Sequence, residues 1–144
     1  MTIADDYLGI INRIADSVIL PPIREIHVAP HQENPEKSSK FGAMVLDDDT
    51  VGLTYIDLND TMRDLQSRPE RHELVGCSPI EAARLYAGEA GWQRSLGMAA
   101  VNAISQHVLK RSRYALTEST KTMDLLEIRP GDHIGMVGYF PPLV

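Results

Sequence analysis

Two β-prone runs lie close together in the first half of the chain, FGAMVL at 41–46 and VGLTYIDL at 51–58. Only Asp47, Asp48, Asp49 and Thr50 separate them. Aspartate side chains accept hydrogen bonds from nearby backbone N–H groups and therefore favour turns. The spacing predicts a hairpin whose tip places the three aspartates in water.

The same aspartates allow a second interpretation. Asp47-x-Asp49 after an apolar run is the outline of a metal-dependent phosphotransferase loop, in which one carboxylate attacks phosphorus and the other transfers a proton. That chemistry also needs a lysine, a hydroxyl and further acids that hold Mg²⁺, and no convincing arrangement of this kind follows in the sequence. The hairpin is favoured, and antiparallel pairing of 41–46 with 51–56 would exclude the phosphotransferase.

The segments before and after the hairpin carry further helix and strand signals. Apolar residues at 3, 7, 10, 11, 14 and 18 recur in steps of three and four, which predicts an amphipathic helix. Thr2 or Asp5 could cap it, and Pro21-Pro22 ends it. Residues 23–29 are typical of a short strand. Ser78-Pro79-Ile80-Glu81 is a strong helix start, and Gly88 and Gly91 close that helix.

The C-terminal half is predicted to be mainly helical, with one late strand. A helix over about 92–109 contains Gly97, Ala99, Ala100 and Ala103, which would let another backbone approach closely. A shorter helix is expected at 121–127 and a buried strand at 133–137. The predicted fold class is α+β, an antiparallel three-stranded meander packed on helices. The 131–144 strand is left without a neighbour in this scheme.

Composition narrows the classes of partner and location. The 144 residues suffice for one domain with a real core. A net charge of −6 argues against a nucleic-acid partner. No apolar run is long enough for a membrane span and no signal peptide is evident. The single cysteine, Cys77, has no internal disulfide partner, so a cytoplasmic protein is expected.

Metal-binding and nucleophilic sites have weak support in the sequence. The five histidines, at positions 27, 31, 72, 107 and 133, are each predicted to be surface or strand residues. Zinc requires three or four ligands, and no spacing supplies them. Cys77 precedes a predicted helix start, where a thiolate would be stabilised. A buried structural cysteine is the favoured alternative.

Two segments are the best candidates for a ligand site. Asn102 interrupts the small and apolar run GMAAVNAISQ, where an amide could point either to solvent or into a cleft. Gly138, Tyr139, Phe140 and Pro141 follow the late strand, and a glycine at that edge would let a ligand approach the backbone. An ordinary turn is the alternative there.

The same two segments resemble the putative heavy-metal chelation family. The resemblance rests on SLGMAAVNAIS at 95–105 and GDHIGMVGYFPPLV at 131–144, which match a Gly-x-Ala-x-x-Asn-Ala helix and a strand ending in Val-Gly-x-Phe-Pro. Members have an enolase-N-terminal-like domain followed by a Rossmann-like domain. The resemblance implies a first domain at 1–130, the start of a truncated or partner-completed second domain at 131–144, and a ligand cleft between the two.

Three functional hypotheses follow from these patterns and this resemblance. The leading one is a small-ligand or metal-binding module, with a transition metal as the candidate cofactor and with Asn102 and the 138–141 loop lining the site. The second is a structural half that needs a homo-oligomer or a partner chain carrying the missing part, because an unpaired strand invites pairing. The third is the phosphotransferase. No catalytic residue is predicted.

Overall fold

A computed structural model of the protein describes residues 2–30 and 40–112, together with Arg129, Gly131 and His133. The chain divides into two compact units, Met1–Arg113 and Tyr114–Val144. The first unit contains every element described below. The helix expected at 121–127 and the strand expected at 133–137 lie outside the described residues, apart from His133.

Three strands and five α-helices make up the described part of the chain. In order they are α1 (Ile3–Ala15), β1 (Ile23–His27), β2 (Phe41–Leu46), β3 (Val51–Tyr55), α2 (Thr61–Ser67), α3 (Glu70–Glu73), α4 (Pro79–Arg84) and α5 (Gly91–Arg111). A single 3₁₀ turn, Leu85–Ala87, follows α4. None of these helices is long and apolar enough to cross a membrane.

The strands form one antiparallel sheet in the order β1-β2-β3. The register pairs Phe41 with Tyr55 and Val45 with Val51, so β2 and β3 are the predicted hairpin. The α+β class and the three-stranded meander are therefore confirmed. By the same pairing, the phosphotransferase interpretation of Asp47 and Asp49 is wrong, because the chain returns at once as a hairpin strand.

Helix starts follow the predicted local chemistry where a capping side chain is present. Thr2 and Asp5 exchange hydrogen bonds with each other's backbone N–H and form a capping box for α1. The Ser78 hydroxyl accepts from the N–H of Ile80 at the start of α4. Gly91 was predicted to close the preceding helix, but it is the first residue of α5. The short helices α2 and α3 were not predicted, and neither has a side-chain cap.

Helix α5 covers one face of the sheet at very short range. A Cβ atom added at Gly52 of β3 would lie 2.1 Å from the carbonyl oxygen of Ala99 and 2.3 Å from the nitrogen of Ala103. On another side of α5, a Cβ atom at Gly97 would lie 2.2 Å from the backbone nitrogen of Tyr86. The small residues of α5 thus allow the close backbone contacts that the sequence predicted. Two apolar clusters, one around Met44 and Ile104 and one around Ile56 and Leu65, form the core.

Candidate functional site

Polar side chains of α5 follow the outer edge of β3, the last strand of the sheet. The Nδ2 atom of Asn102 donates to the carbonyl oxygen of Leu53 at 2.7 Å. Ser95, seven residues earlier, donates to the carbonyl of Tyr55 at 3.5 Å. Edge carbonyls lack a neighbouring strand, so Asn102 and Ser95 provide donors that a fourth strand would otherwise supply.

The C-terminal part of α5 holds the tip of the hairpin. His107 is fully buried, and its Nδ1 atom lies 2.7 Å from Oδ2 of Asp48. The other carboxylate oxygen of Asp48 accepts from the backbone N–H of Thr50 at 3.1 Å. Lys110 donates to the hydroxyl of Thr50, also at 3.1 Å. The turn is therefore held on the helix by two side-chain contacts, from His107 and Lys110, and Asp48 also bonds within the turn.

The electrostatics of Asp48 follow from these contacts. Burial by itself raises the pKa of Asp48, but hydrogen bonds from Thr50 and from His107 favour the carboxylate and lower the pKa from 3.8 to about 2.

The predictions for this region were wrong at two residues. His107 is neither a surface nor a strand residue, and Asp48 is not simply a solvated turn residue. Sequence distance hid this pair, because 59 residues separate its members.

The buried Nε2 atom of His107 has no hydrogen-bond partner among the described residues. Nδ1 of the same ring contacts Asp48, so Nε2 is the ring nitrogen that has no described partner inside the core. No described cleft is lined by His107. The pair therefore holds the hairpin tip against α5.

A cleft of about 400 Å³ lies where the end of β3 meets the start of α5. Its lining comes from four parts of the fold: Thr54 and Tyr55 of β3, Leu58, Asn59 and Thr61 of the next loop and α2, Tyr86 of the 3₁₀ turn, and Gly91, Arg94, Ser95 and Met98 of α5. Hydroxyl, amide and guanidinium groups thus stand beside aromatic and aliphatic side chains. This mixture is typical of small-molecule sites.

Close backbone contacts shape this cleft. Gly91 lies against α2, since a Cβ atom there would be 2.5 Å from the hydroxyl oxygen of Thr61. Asn59 has a φ of 48°, a left-handed conformation that is uncommon outside glycine. Tyr86 is supported by the ring of Tyr7, edge to face at 5.7 Å. The cleft is therefore built from residues that are held by their neighbours.

Metal-donor groups do not converge in the part of the chain that the structure describes. No cluster of three or more His, Cys, Asp or Glu residues there could hold an ion. Glu25 and His27 pair on β1 at 2.6 Å, but they are only two donors. Burial and the neighbouring carboxylate of Glu81 raise the pKa of the Cys77 thiol. This direction gives no support to the less favoured interpretation of Cys77 as a stabilised thiolate, and the residue is half-buried. These side chains do not fit a metal ion held by protein ligands alone.

The predicted ligand residues have different outcomes. Gly138, Tyr139, Phe140 and Pro141 lie outside the described residues. Asn102 uses its amide nitrogen on β3, and its role as a ligand residue stays a prediction. Ser95 and Met98 of the same helix line the cleft. The loop residues of the cleft were missed, because single polar residues between a strand and a helix carry no periodic signal.

Comparison with known proteins gave one match. The model of a family described as "Putative heavy-metal chelation" matches residues 39–105, just under half of the chain. No match was found among curated proteins or among solved structures. The matched stretch holds the hairpin, the whole lining of the cleft and most of α5. The match confirms the family resemblance over residues 39–105, which include the 95–105 segment, whereas the 131–144 segment lies outside it.

Proposed function

We propose that residues 39–105 form a small-ligand-binding module whose ligand occupies the cleft between β3 and α5. The cleft is the observation that carries this proposal. Its volume of about 400 Å³ lies within the range of small-molecule sites, and a few polar groups stand against an apolar wall. The family description, which names chelation, supports a binding role.

A heavy metal enters this proposal through the family description and not through a donor set. Structural metal sites use three or four protein ligands, and the described residues bring no three together. A metal held by this module would therefore take its other ligands from the small molecule itself or from residues beyond the described ranges. A metal chelate is for this reason a better candidate ligand than a bare ion.

Isothermal titration calorimetry tests the proposal directly. The panel contains Zn²⁺, Ni²⁺ and Cu²⁺ as free ions, the same ions as citrate complexes, and phosphate and molybdate as oxyanions. We expect saturable heat from at least one small ligand, and more from a chelate than from its free ion. Absence of binding across the whole panel would remove the proposal.

A pair of matched variants locates the binding. Leu58 lines the cleft and is 53% exposed, whereas Ile19 is 90% exposed and lies elsewhere. Leu58→Trp would fill part of the cleft and weaken ligand binding at least tenfold. Ile19→Trp would leave ligand binding unchanged. Equal effects of the two variants would place the ligand outside the cleft.

A second candidate role is assembly with another copy of the chain. The outer face of the sheet favours it, because Phe41, Val51, Leu53 and Tyr55 are 40–56% exposed there. Glu25 and His27 of β1 lie on that face 2.6 Å apart, and Glu25 is also 3.5 Å from Arg24. Two such apolar faces could meet in a two-fold contact, in which the same patch serves on both copies.

Three finer expectations belong to this proposal as well. The resemblance implies that the first unit has an enolase-N-terminal-like fold and that a Rossmann-like domain follows it. The domain division at 130/131 and a cytoplasmic location also remain predictions. A structure of the chain together with a candidate second domain would test the first two, and fractionation of cells would test the third.

A further inference from the structure

The walls of the cleft define the shape of the ligand body. Tyr55 is 40% and Leu58 53% exposed, although both are large and apolar. Tyr86 adds a second aromatic ring, fixed by its contact with Tyr7. Exposed aromatic and aliphatic groups that line one cleft favour a flat apolar ligand, since stacking or edge contact with such rings is favourable.

The charge of the cleft defines the polar end of the ligand. Arg94 is the single ionised side chain in the lining, and no carboxylate contributes to it, in a chain whose net charge is −6. Two carboxylates flank the cleft loop, and each is paired with a cation: Asp57 with Lys40 at 3.6 Å and Asp60 with Arg63 at 2.8 Å. These two carboxylates are thus ion-paired, and the described lining of the cleft carries the positive charge of Arg94.

No described residue forms an ion pair with Arg94. Arg24 and Arg63, in contrast, each pair with an aspartate. A guanidinium binds a carboxylate through two parallel hydrogen bonds. The hydroxyls of Thr61 and Ser95 lie in the same lining and are nearly buried, with 5% and 6% exposure. Because the Ser95 hydroxyl already donates to the carbonyl of Tyr55, the Thr61 hydroxyl is the one suited to donate to an oxygen of the ligand.

We infer that the cleft binds an aromatic carboxylate, with the ring against Tyr55, Leu58 and Tyr86 and with the carboxylate on Arg94. This inference rests on the proposed function and narrows it to one ligand class.

Titration with small probes, followed by ¹H–¹⁵N NMR, tests the inference. Benzoate is the probe, benzamide is its neutral counterpart of the same shape, and phenyl phosphate tests a different anion. We expect benzoate to shift the amide signals of Gly91 and Ser95 and to bind at least tenfold more tightly than benzamide. Phenyl phosphate should bind more weakly than benzoate.

Two arginine variants provide the matched control. Arg94→Gln should lower the affinity for benzoate to that for benzamide, and Arg84→Gln, on the exposed face of α4, should leave both affinities unchanged. Both positions are exposed, and circular dichroism would verify folding.

Equal binding of benzoate and benzamide would overturn the anion inference but leave a small-ligand site. If phenyl phosphate binds more tightly than benzoate, the assignment to a carboxylate is overturned. If no probe shifts the cleft signals, the inference fails and the calorimetric panel alone decides the proposed function.

Discussion

Three consecutive aspartates at the hairpin tip have three different surroundings. Asp47 is exposed and bonds the carbonyl of Pro22 through its backbone N–H. Asp48 pairs with buried His107. Asp49 has a left-handed φ of 62° and lies 2.7 Å from the guanidinium of Arg24. Identical residues therefore differ in their contribution to stability, because each carboxylate meets different neighbours.

We expect Asp48 to make folding pH-dependent at low pH. Its folded pKa of about 2 lies below the ordinary value of 3.8. The contribution of Asp48 to the free energy of unfolding is therefore present above about pH 3.8 and is lost as the pH falls towards 2. Since the side chain is 28% exposed, solvent screening limits the contribution to about 1 kcal/mol.

Asp48→Asn should accordingly flatten the fall in stability between pH 4 and pH 2, measured by urea unfolding at each pH. Asp47→Asn makes the same charge change at an exposed position and is the control. Identical pH profiles for the two variants would contradict the role of the Asp48–His107 pair.

Asn102→Ala separates a structural from a ligand-binding role. Loss of the bond to the Leu53 carbonyl should lower the free energy of unfolding by about 1 kcal/mol. Gln106→Ala, at an exposed position of the same helix, should change it by less than about 0.5 kcal/mol. Unchanged stability together with lost ligand binding would instead give Asn102 the role predicted from the resemblance.

At the scale of elements, α5 organises the described part of the fold. Its buried residues lie on several sides, including Leu96, Ala100, Val101 and His107, because β3 and the segment of α4 and the 3₁₀ turn pack around it. The sequence predicted this helix and its close contacts from its small residues. It did not predict α2 and α3, which span seven and four residues and lack side-chain caps.

The contact between α5 and β3 should tolerate no added side chain. Gly52→Ala would place Cβ 2.1 Å from the Ala99 carbonyl oxygen, so we expect a loss of at least about 2 kcal/mol in thermal and urea unfolding. Gly9→Ala is the control, because no atom lies within 4 Å of a Cβ at this exposed position of α1. That change should stabilise by about 0.5–1 kcal/mol. A tolerated Gly52→Ala would show that the helix can move away from the sheet.

At the scale of the whole molecule, the two faces of the sheet differ in their cover. The inner face packs under α5, and the outer face exposes apolar residues from β2 and β3. Phe41 and Tyr55 pair across these strands, edge to face at 5.6 Å. An apolar patch of this kind often marks an interaction surface, which gives the expected homo-oligomer a place to form.

We therefore expect reversible self-association in sedimentation equilibrium, with a dimer that strengthens as protein concentration rises. Leu53→Lys places a charge on the outer face, where Leu53 is 56% exposed, and should weaken the dimer at least tenfold. Ile19→Lys makes the same change at a 90% exposed site off the sheet and should have no effect. A wild-type protein that stays monomeric up to sub-millimolar concentration would contradict the assembly proposal.

The sequence by itself determined the elements whose signals are local. The capped helix start at Thr2, the Ser78-Pro79 start and the hairpin between 41 and 55 depend on neighbouring residues, so their patterns could be interpreted without coordinates. Only the tertiary structure brought Asp48 to His107, Asn102 to Leu53 and Arg94 into a cleft with Tyr55. These contacts join residues 39 to 59 positions apart, and a linear pattern carries no information about which distant side chains meet once α5 packs on the sheet.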